Sequence, residues 1–186
     1  LRIGLVDGQA AWSVAHTLSA LAGAAAPVRD RLSSTYSRLV LATSRRFSGQ
    51  QAQRAHQGDY SNAEALADLE QLAVELVAIA GEQADHMTRD DGWRFLAIGR
   101  HLERLNLLAA QLGLGIAGCT PPQGPAFELL LALFDSTLTY RSYYQCRQEL
   151  PALLDLLVCD ANNPRAIRSV QAALRNELEA LPKLPG

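Results

Sequence analysis

Met87 to Arg104 reads MTRDDGWRFLAIGRHLER, and this stretch decides the fold class. Asp90 and Asp91 suit a helix start, where unpaired N–H groups and the helix dipole favour negative charge. Gly113 and Gly115 offer a stop. Between them Phe95, Ile98, Leu102, Leu105, Ala109 and Leu112 recur at alternating three- and four-residue steps. That is one apolar stripe, made for packing on other helices. Trp93, Leu96, Arg100, Glu103 and Leu107 repeat the rhythm on another face. The second stripe sets a charged pair in line with a Trp and two leucines, so it predicts that Arg100 and Glu103 are semi-buried.

A charge taken out of water needs partners. Glu103 can meet Arg100 three residues back, but Arg104 follows Arg100 at the repulsive i+4 spacing. Four arginines around one glutamate call for acidic side chains from other helices, or for a bound anion. A structural ion-pair network and an anion site both remain open on the residues alone.

Working outward, 186 residues fit one domain with a proper core. The chain is 48% hydrophobic, dominated by Ala and Leu and poor in β-branched runs, which favours an all-α bundle of about six to seven helices. A net charge of −2 gives no electrostatic case for nucleic acid or an anionic membrane as partner. No apolar run approaches the roughly 18–20 residues of a membrane span. Cys119, Cys146 and Cys159 lack metal or CxxC spacing, which points to reduced thiols and a cytoplasmic location. The chain opens on Leu1 with no signal-like segment, which reads as a piece of a longer or processed protein.

Before the central stretch, the pattern predicts a helix from about Gln9 with Leu5, Trp12, Leu18 and Leu21 as core contacts, broken at Pro27. Ser33 or Ser34 caps a helix through Tyr36, Val40 and Arg46. Residues 47–60 are polar and glycine-containing, a flexible loop by composition. Ser61 and Glu64 form a capping-box pattern opening a helix to about His86. Its buried side is expected to carry Leu66, Leu69, Leu72, Val74, Leu76, Val77 and Ile79, with Asp68, Glu70, Glu75 and Glu82 largely outside.

After it, Cys119 to Pro125 is a rigid non-helical link. In PAFELLLALFDSTLTYRSYYQCRQEL, Phe127, Leu130, Leu131, Phe134, Leu138 and Arg141 share a face. Glu128, Asp135, Thr139, Ser142 and Cys146 flank it as a polar strip. The strip suits the lining of a polar cavity or, equally, hydroxyls bonded back to their own helix plus a buried salt bridge. Tyr140, Tyr143 and Tyr144 can pack while offering their OH groups. Pro151 opens a short helix, and Asn163 with Pro164 is expected to start a last helix running to about Leu181. GxGxxG, P-loop and HExxH patterns are absent, and no Ser-His-Asp signal stands out. His101 lies off both stripes, as a surface residue would. The paired Glu-x-x-His of di-iron bundles is missing, so neither metal nor cofactor is expected.

MTRDDGWRFLAIGRHLER, FDSTLTYRSYY and LLDLLVCDANNPRAI, with VRDRLS at Val28 to Ser33, together resemble the bacterial Alpha-E domain, an all-helical domain named for a Glu-Arg motif. The resemblance carries that motif to Glu103 and Arg104, and an upstream basic-aromatic part to Arg89, Trp93 and Arg94. Asp135, Ser136, Tyr140 and Arg141 match the second motif, and Asp160, Asn163 and Pro164 the third. Family members usually carry an earlier segment with its own Gly-Arg-Glu-Arg helix. This chain lacks a recognisable one and resembles mainly the C-terminal part, so the missing N-terminal half is itself an expected partner.

The resemblance further implies company with circularly permuted ATP-grasp ligases and transglutaminase-like peptidases. ATP-grasp enzymes join carboxylates to amines, so the expectation is an accessory helical domain of a peptide- or amide-forming system. It would bind the ligase, or hold an anionic peptide through Arg89, Arg94, Arg100, Arg104 and Arg141, with Asp135, Tyr140 and Glu103 orienting the contacts. Two alternatives are a purely structural or interaction module and a catalytic domain using Glu103 as acid or base. A carboxylate hemmed in by arginines is a poor acid, which weighs against the last.

Overall fold

A computed structural model describes residues 4–5, 10, 13–57, 61–117, 123–145 and 147–182, with backbone only at 52 and 54–57. Among these residues the fold is all-α: eight α-helices, a short 3-10 turn and a π turn, with no strand. The contacts divide the chain into two compact units, Leu1–Thr88 and Arg89–Gly186.

In the first unit, α1 is Val14–Ala25. Ser13 caps it, its Oγ accepting from the His16 N–H at 3.1 Å, while Thr17 Oγ1 donates to the Ser13 carbonyl. Pro27 ends it in the 3-10 turn Ala26–Val28. Helix α2 is Ser34–Gln57, capped by Ser33, whose Oγ accepts from the Tyr36 N–H at 2.9 Å. The expected loop over 47–60 is therefore corrected: the helix continues to Gln57, and Gly58–Tyr60 lie outside the described residues. Fully buried Phe47, packed with Leu18 and Leu72, anchors the turn where the composition becomes polar. Helix α3, Asn62–His86, opens with the predicted capping box between Ser61 and Glu64. Both α1 and α3 pack against α2. Leu5 and Leu18 are buried and Leu21 half-buried, as expected of core contacts, while Trp12 lies outside the described residues.

The orientation of α3 reverses much of the expectation. It buries Ala65, Asp68, Leu72, Ile79 and Gln83 and leaves Leu66, Val74, Leu76 and Val77 exposed. Glu75 and Glu82 are half-buried rather than outside. The cause is polar matching across α2 and α3. Arg46 forks onto Glu75 with Nη2 3.0 Å from Oε2, Ser33 Oγ donates to Glu82 at 2.6 Å, and Gln51 Nε2 donates to Asp68 at 3.3 Å.

In the second unit, α4 is Asp91–Ile116, and Asp90 is its cap, accepting from the Trp93 N–H at 3.0 Å. The expected glycine stop falls late. Gly113 O accepts from the Ala117 N–H, and Gly115 lets the helix lie against Leu130. A Cβ there would fall 2.5 Å from Leu130 Cδ2. Of the link, Cys119–Pro122 lie outside the described residues. Then follow α5 (Pro125–Leu133), α6 (Thr137–Tyr144), α7 (Leu150–Leu154), the π turn Asp155–Cys159 and α8 (Ile167–Glu179). The stretch after Pro125 thus makes separate helices. Asp135 takes the left-handed region at φ 45°, and buried Ser136 donates to the Phe134 carbonyl.

Pro151 falls in the first turn of α7, as expected. Asn163 does not cap α8, since Ala166 precedes its first residue. Its side-chain Oδ1 accepts from the Arg165 N–H, and its Nδ2 donates to Ser136 Oγ and the Leu156 carbonyl. Side-chain bonding of this kind competes with helix capping. Helix α8 packs most extensively on α4. Phe127, Leu131, Phe134, Tyr140, Leu153, Leu156 and Leu157 fill a continuous core with Leu108, Leu112 and Val170.

Candidate functional site

Helix α4 turns Trp93, Ala97, Ile98, Leu108 and Leu112 inward. This face lies between the two sequence stripes and takes an edge from each. Arg100, Glu103 and Arg104 are consequently exposed, which corrects the expected semi-burial of Arg100 and Glu103. Phe95 and Leu102 of the first stripe are also exposed, at 64% and 52%. Arg89 is exposed too, its guanidinium carbon 4.9 Å from the centroid of the buried Trp93 ring. Half-buried Arg94 reaches Glu177 of α8, Nη1 to Oε2 at 3.1 Å. Half-buried His101 corrects the surface reading. Burial, then the Arg100 charge, with Arg104 adding, hold its imidazole below the usual value against the opposing pull of Glu177.

The second motif divides similarly. Tyr140 is buried among core residues, edge-on to Phe127 at 5.2 Å, and its OH donates to the Arg147 carbonyl. Burial first of all pushes its phenol upward. Exposed Asp135 pairs with Arg165 at 2.7 Å, and exposed Arg141 pairs with Glu128 at 3.4 Å. Arg94, Arg141 and Asp135 thus have three different partners, each within the second unit. The arginine-lined pocket expected from sequence is not assembled by these contacts. Glu177 carried no local signal, because its partner is 83 residues away. Among the described residues no His/Cys/Asp/Glu group has metal-holding geometry.

Two concavities stand out instead. In the first unit α1 and α3 both lean on α2, and an apolar groove of about 460 Å³ opens between them, lined by Val14, Leu18, Leu21, Leu69, Leu72 and Leu76. In the second, a hollow of about 300 Å³ is lined by Tyr143, Tyr144, Gln145, Arg147, Glu149 and Ala152. Gln145 ends α6 in the left-handed region at φ 52°, a conformation that disfavours side chains. Tyr144 OH donates to Asp155 Oδ2 at 2.6 Å, where the π turn begins. That hydrogen bond, then burial, push the Tyr144 phenol up to about 12. Sequence reading marked these tyrosines as polar-tipped packing residues but gave no sign of the hollow, which depends on the turn after α6.

Against known proteins, a family profile described as a predicted alpha-helical domain with a conserved ER motif matches residues 1–186. The chain belongs to the Alpha-E family. It is similar to uncharacterised proteins of Mycobacterium bovis and Mycobacterium tuberculosis, at 30% identity over 191 residues. The match covers 97% of this chain and 21% of each relative, so the chain spans about a fifth of their length. No solved structure matches it. In this Alpha-E domain the one Glu-Arg dipeptide, Glu103-Arg104, stands on the outer side of α4. Neither side chain forms a hydrogen bond or ion pair among the described residues. Along the same helix Phe95, Leu102, Leu107 and Leu114 are exposed, Leu114 at 82%. No helix among the described residues is long and apolar enough to cross a membrane.

Proposed function

We propose that this Alpha-E domain is an accessory helical domain of an ATP-grasp-linked peptide- or amide-forming system, and that it docks the ligase. The observation that carries the reading is the exposed side of α4, where Phe95, Leu102, Leu107 and Leu114 stand in solvent along the helix and the side chains of Glu103 and Arg104 have no partner among the described residues. Large apolar side chains left exposed along one helix fit an interaction surface. An arginine beside apolar anchors is typical of the residues that dominate binding energy. The ATP-grasp ligase is the partner that the family resemblance implies. Arg100 and Arg104 supply the charge for an acidic site on it.

The test uses the purified ATP-grasp ligase and this chain, with association followed by calorimetry. Binding is expected, and Leu102→Glu or Arg104→Gln should weaken it at least tenfold, with the helical content of each variant confirmed by circular dichroism. A wild-type chain that fails to associate with the ligase removes this reading.

A further inference from the structure

The hollow at the end of α6 shares none of the proposed docking residues. Its floor is fixed by backbone: the Arg147 N–H donates to the Tyr144 carbonyl at 3.1 Å, and the Glu149 N–H to the Arg147 carbonyl at 3.1 Å. The buried Tyr140 hydroxyl donates to that same carbonyl, tying the turn to the core. On the wall, the Tyr144 ring lies 4.9 Å from Tyr140 and is held by Asp155. These contacts of Tyr140, Tyr144, Arg147 and Glu149 are made without a ligand, which lowers the ordering cost of binding.

On this frame stand two opposite charges. Arg147 and Glu149 both line the hollow, both are exposed, and neither has an ion pair among the described residues, with each other or with a third group. Tyr143 adds a ring that is 59% exposed. At about 300 Å³ the space lies at the small end of ligand sites, which run from roughly 300 to 1,000 Å³.

We propose that this hollow binds a small zwitterion carrying a free amino group and a free carboxylate, an α-amino acid or a short peptide. Arg147 takes the carboxylate through charge-assisted N–H···O bonds. Glu149 takes the ammonium, and the Tyr143 ring offers it an aromatic face. A π turn and a strained non-glycine residue beside the hollow fit a functional place in the fold.

The probe is L-alanyl-L-alanine, titrated into the chain by calorimetry beside its N-acetyl and C-amide forms. Saturable binding of the free dipeptide is expected, at least tenfold weaker for either blocked form. Arg147→Gln and Glu149→Gln should each lose tenfold for the free dipeptide while keeping the wild-type melting temperature, since both side chains are exposed. The proposal is overturned by the absence of saturable binding at millimolar dipeptide. It is equally overturned if a blocked form binds as tightly as the free one, or if either variant that keeps its fold binds like wild type. Ligase docking is read on separate residues, so the two results fail independently.

Discussion

Among the described residues, the unit Arg89–Gly186 closes on one continuous apolar core, whereas in Leu1–Thr88 polar seams between α2 and α3 stand beside the buried apolar residues. In the former, Phe127, Leu153, Leu156 and Leu157 are fully buried and touch one another's neighbours in a single cluster. In the latter, Leu18, Phe47 and Leu72 form a buried cluster among the described residues, and Arg46–Glu75, Ser33–Glu82 and Gln51–Asp68 link the α2 side to α3. The leucines and valines that α3 does not use inside remain on its surface. Polar seams fix orientation through geometry, while apolar burial supplies most of the free energy. Each unit should therefore respond to a different kind of damage.

The largest effect belongs to the apolar core. Phe127→Ala removes a ring that is 0% exposed and set against Tyr140, so it should cost about 3–5 kcal/mol. Urea denaturation measures this. A loss below about 1 kcal/mol would mean that the cluster is not what holds the unit together.

A seam should give less and should carry a pH signature. Arg46→Met leaves Glu75 half-buried without its fork, at a cost of about 1–3 kcal/mol, below the fully buried case because both side chains keep some solvent contact. Adding Glu75→Leu should restore part of the loss, since the uncompensated carboxylate goes with it. Burial alone would raise the Glu75 pKa. Hydrogen bonds from Arg46, Gln71 and Thr43, with the Arg46 charge, outweigh it and hold the group below 4.5. A depressed folded value stabilises the native state above about pH 4.5, and the contribution is lost as pH falls through that lower value. Melting curves across that acid range should fall more gently in Arg46→Met than in the parent. Parallel acid limbs would sink the idea.

These contrasts show what was legible in sequence. Caps and breaks could be read where they are local: Ser33, the Ser61–Glu64 box, Asp90 and the Pro151 start all act within four residues, whereas the start expected at Asn163 and Pro164 falls at Ile167 instead. The α4 periodicity gave a helix but not its rotation, since two apolar stripes offered two faces and the partner helix chose the ground between them. For α3, the run of Leu and Val suggests core, yet Arg46 and Gln51 on α2 and its cap Ser33 match its acids instead. The family motif was visible in Glu103-Arg104. Arg94–Glu177 and the hollow after α6 were not, as both depend on contacts distant in sequence or on a left-handed turn at a glutamine.

A smaller effect, with two signs, tests how closely the apolar unit is packed. Gly99 and Gly115 both lie in α4, where alanine favours helix by about 1 kcal/mol. At Gly99 nothing lies within 4 Å of an added Cβ, so Gly99→Ala should stabilise by about that amount. At Gly115 the methyl meets three atoms of buried Leu130 at 2.5 to 3.0 Å. Overpacking of about 1–3 kcal/mol outweighs the propensity gain, so Gly115→Ala should be destabilised by about 1 kcal/mol net. Thermal melts of the pair decide it, and shifts of the same sign would show that Leu130 has room to move.

The smallest expected effect is also the one that separates a structural from a partner-facing role for the family motif. A buried ion pair, once broken, costs about 3–5 kcal/mol because the surviving charge is stranded. Glu103 is exposed and unpaired among the described residues, so Glu103→Gln should change stability by no more than about 0.5 kcal/mol, as for other free surface positions. Calorimetric melting of the parent and variant gives the number. A loss above about 2 kcal/mol would mean that Glu103 is an internal strut and that the outer face of α4 is not free for docking. A neutral substitution that still weakens the ligase would leave recognition as the only work this carboxylate does.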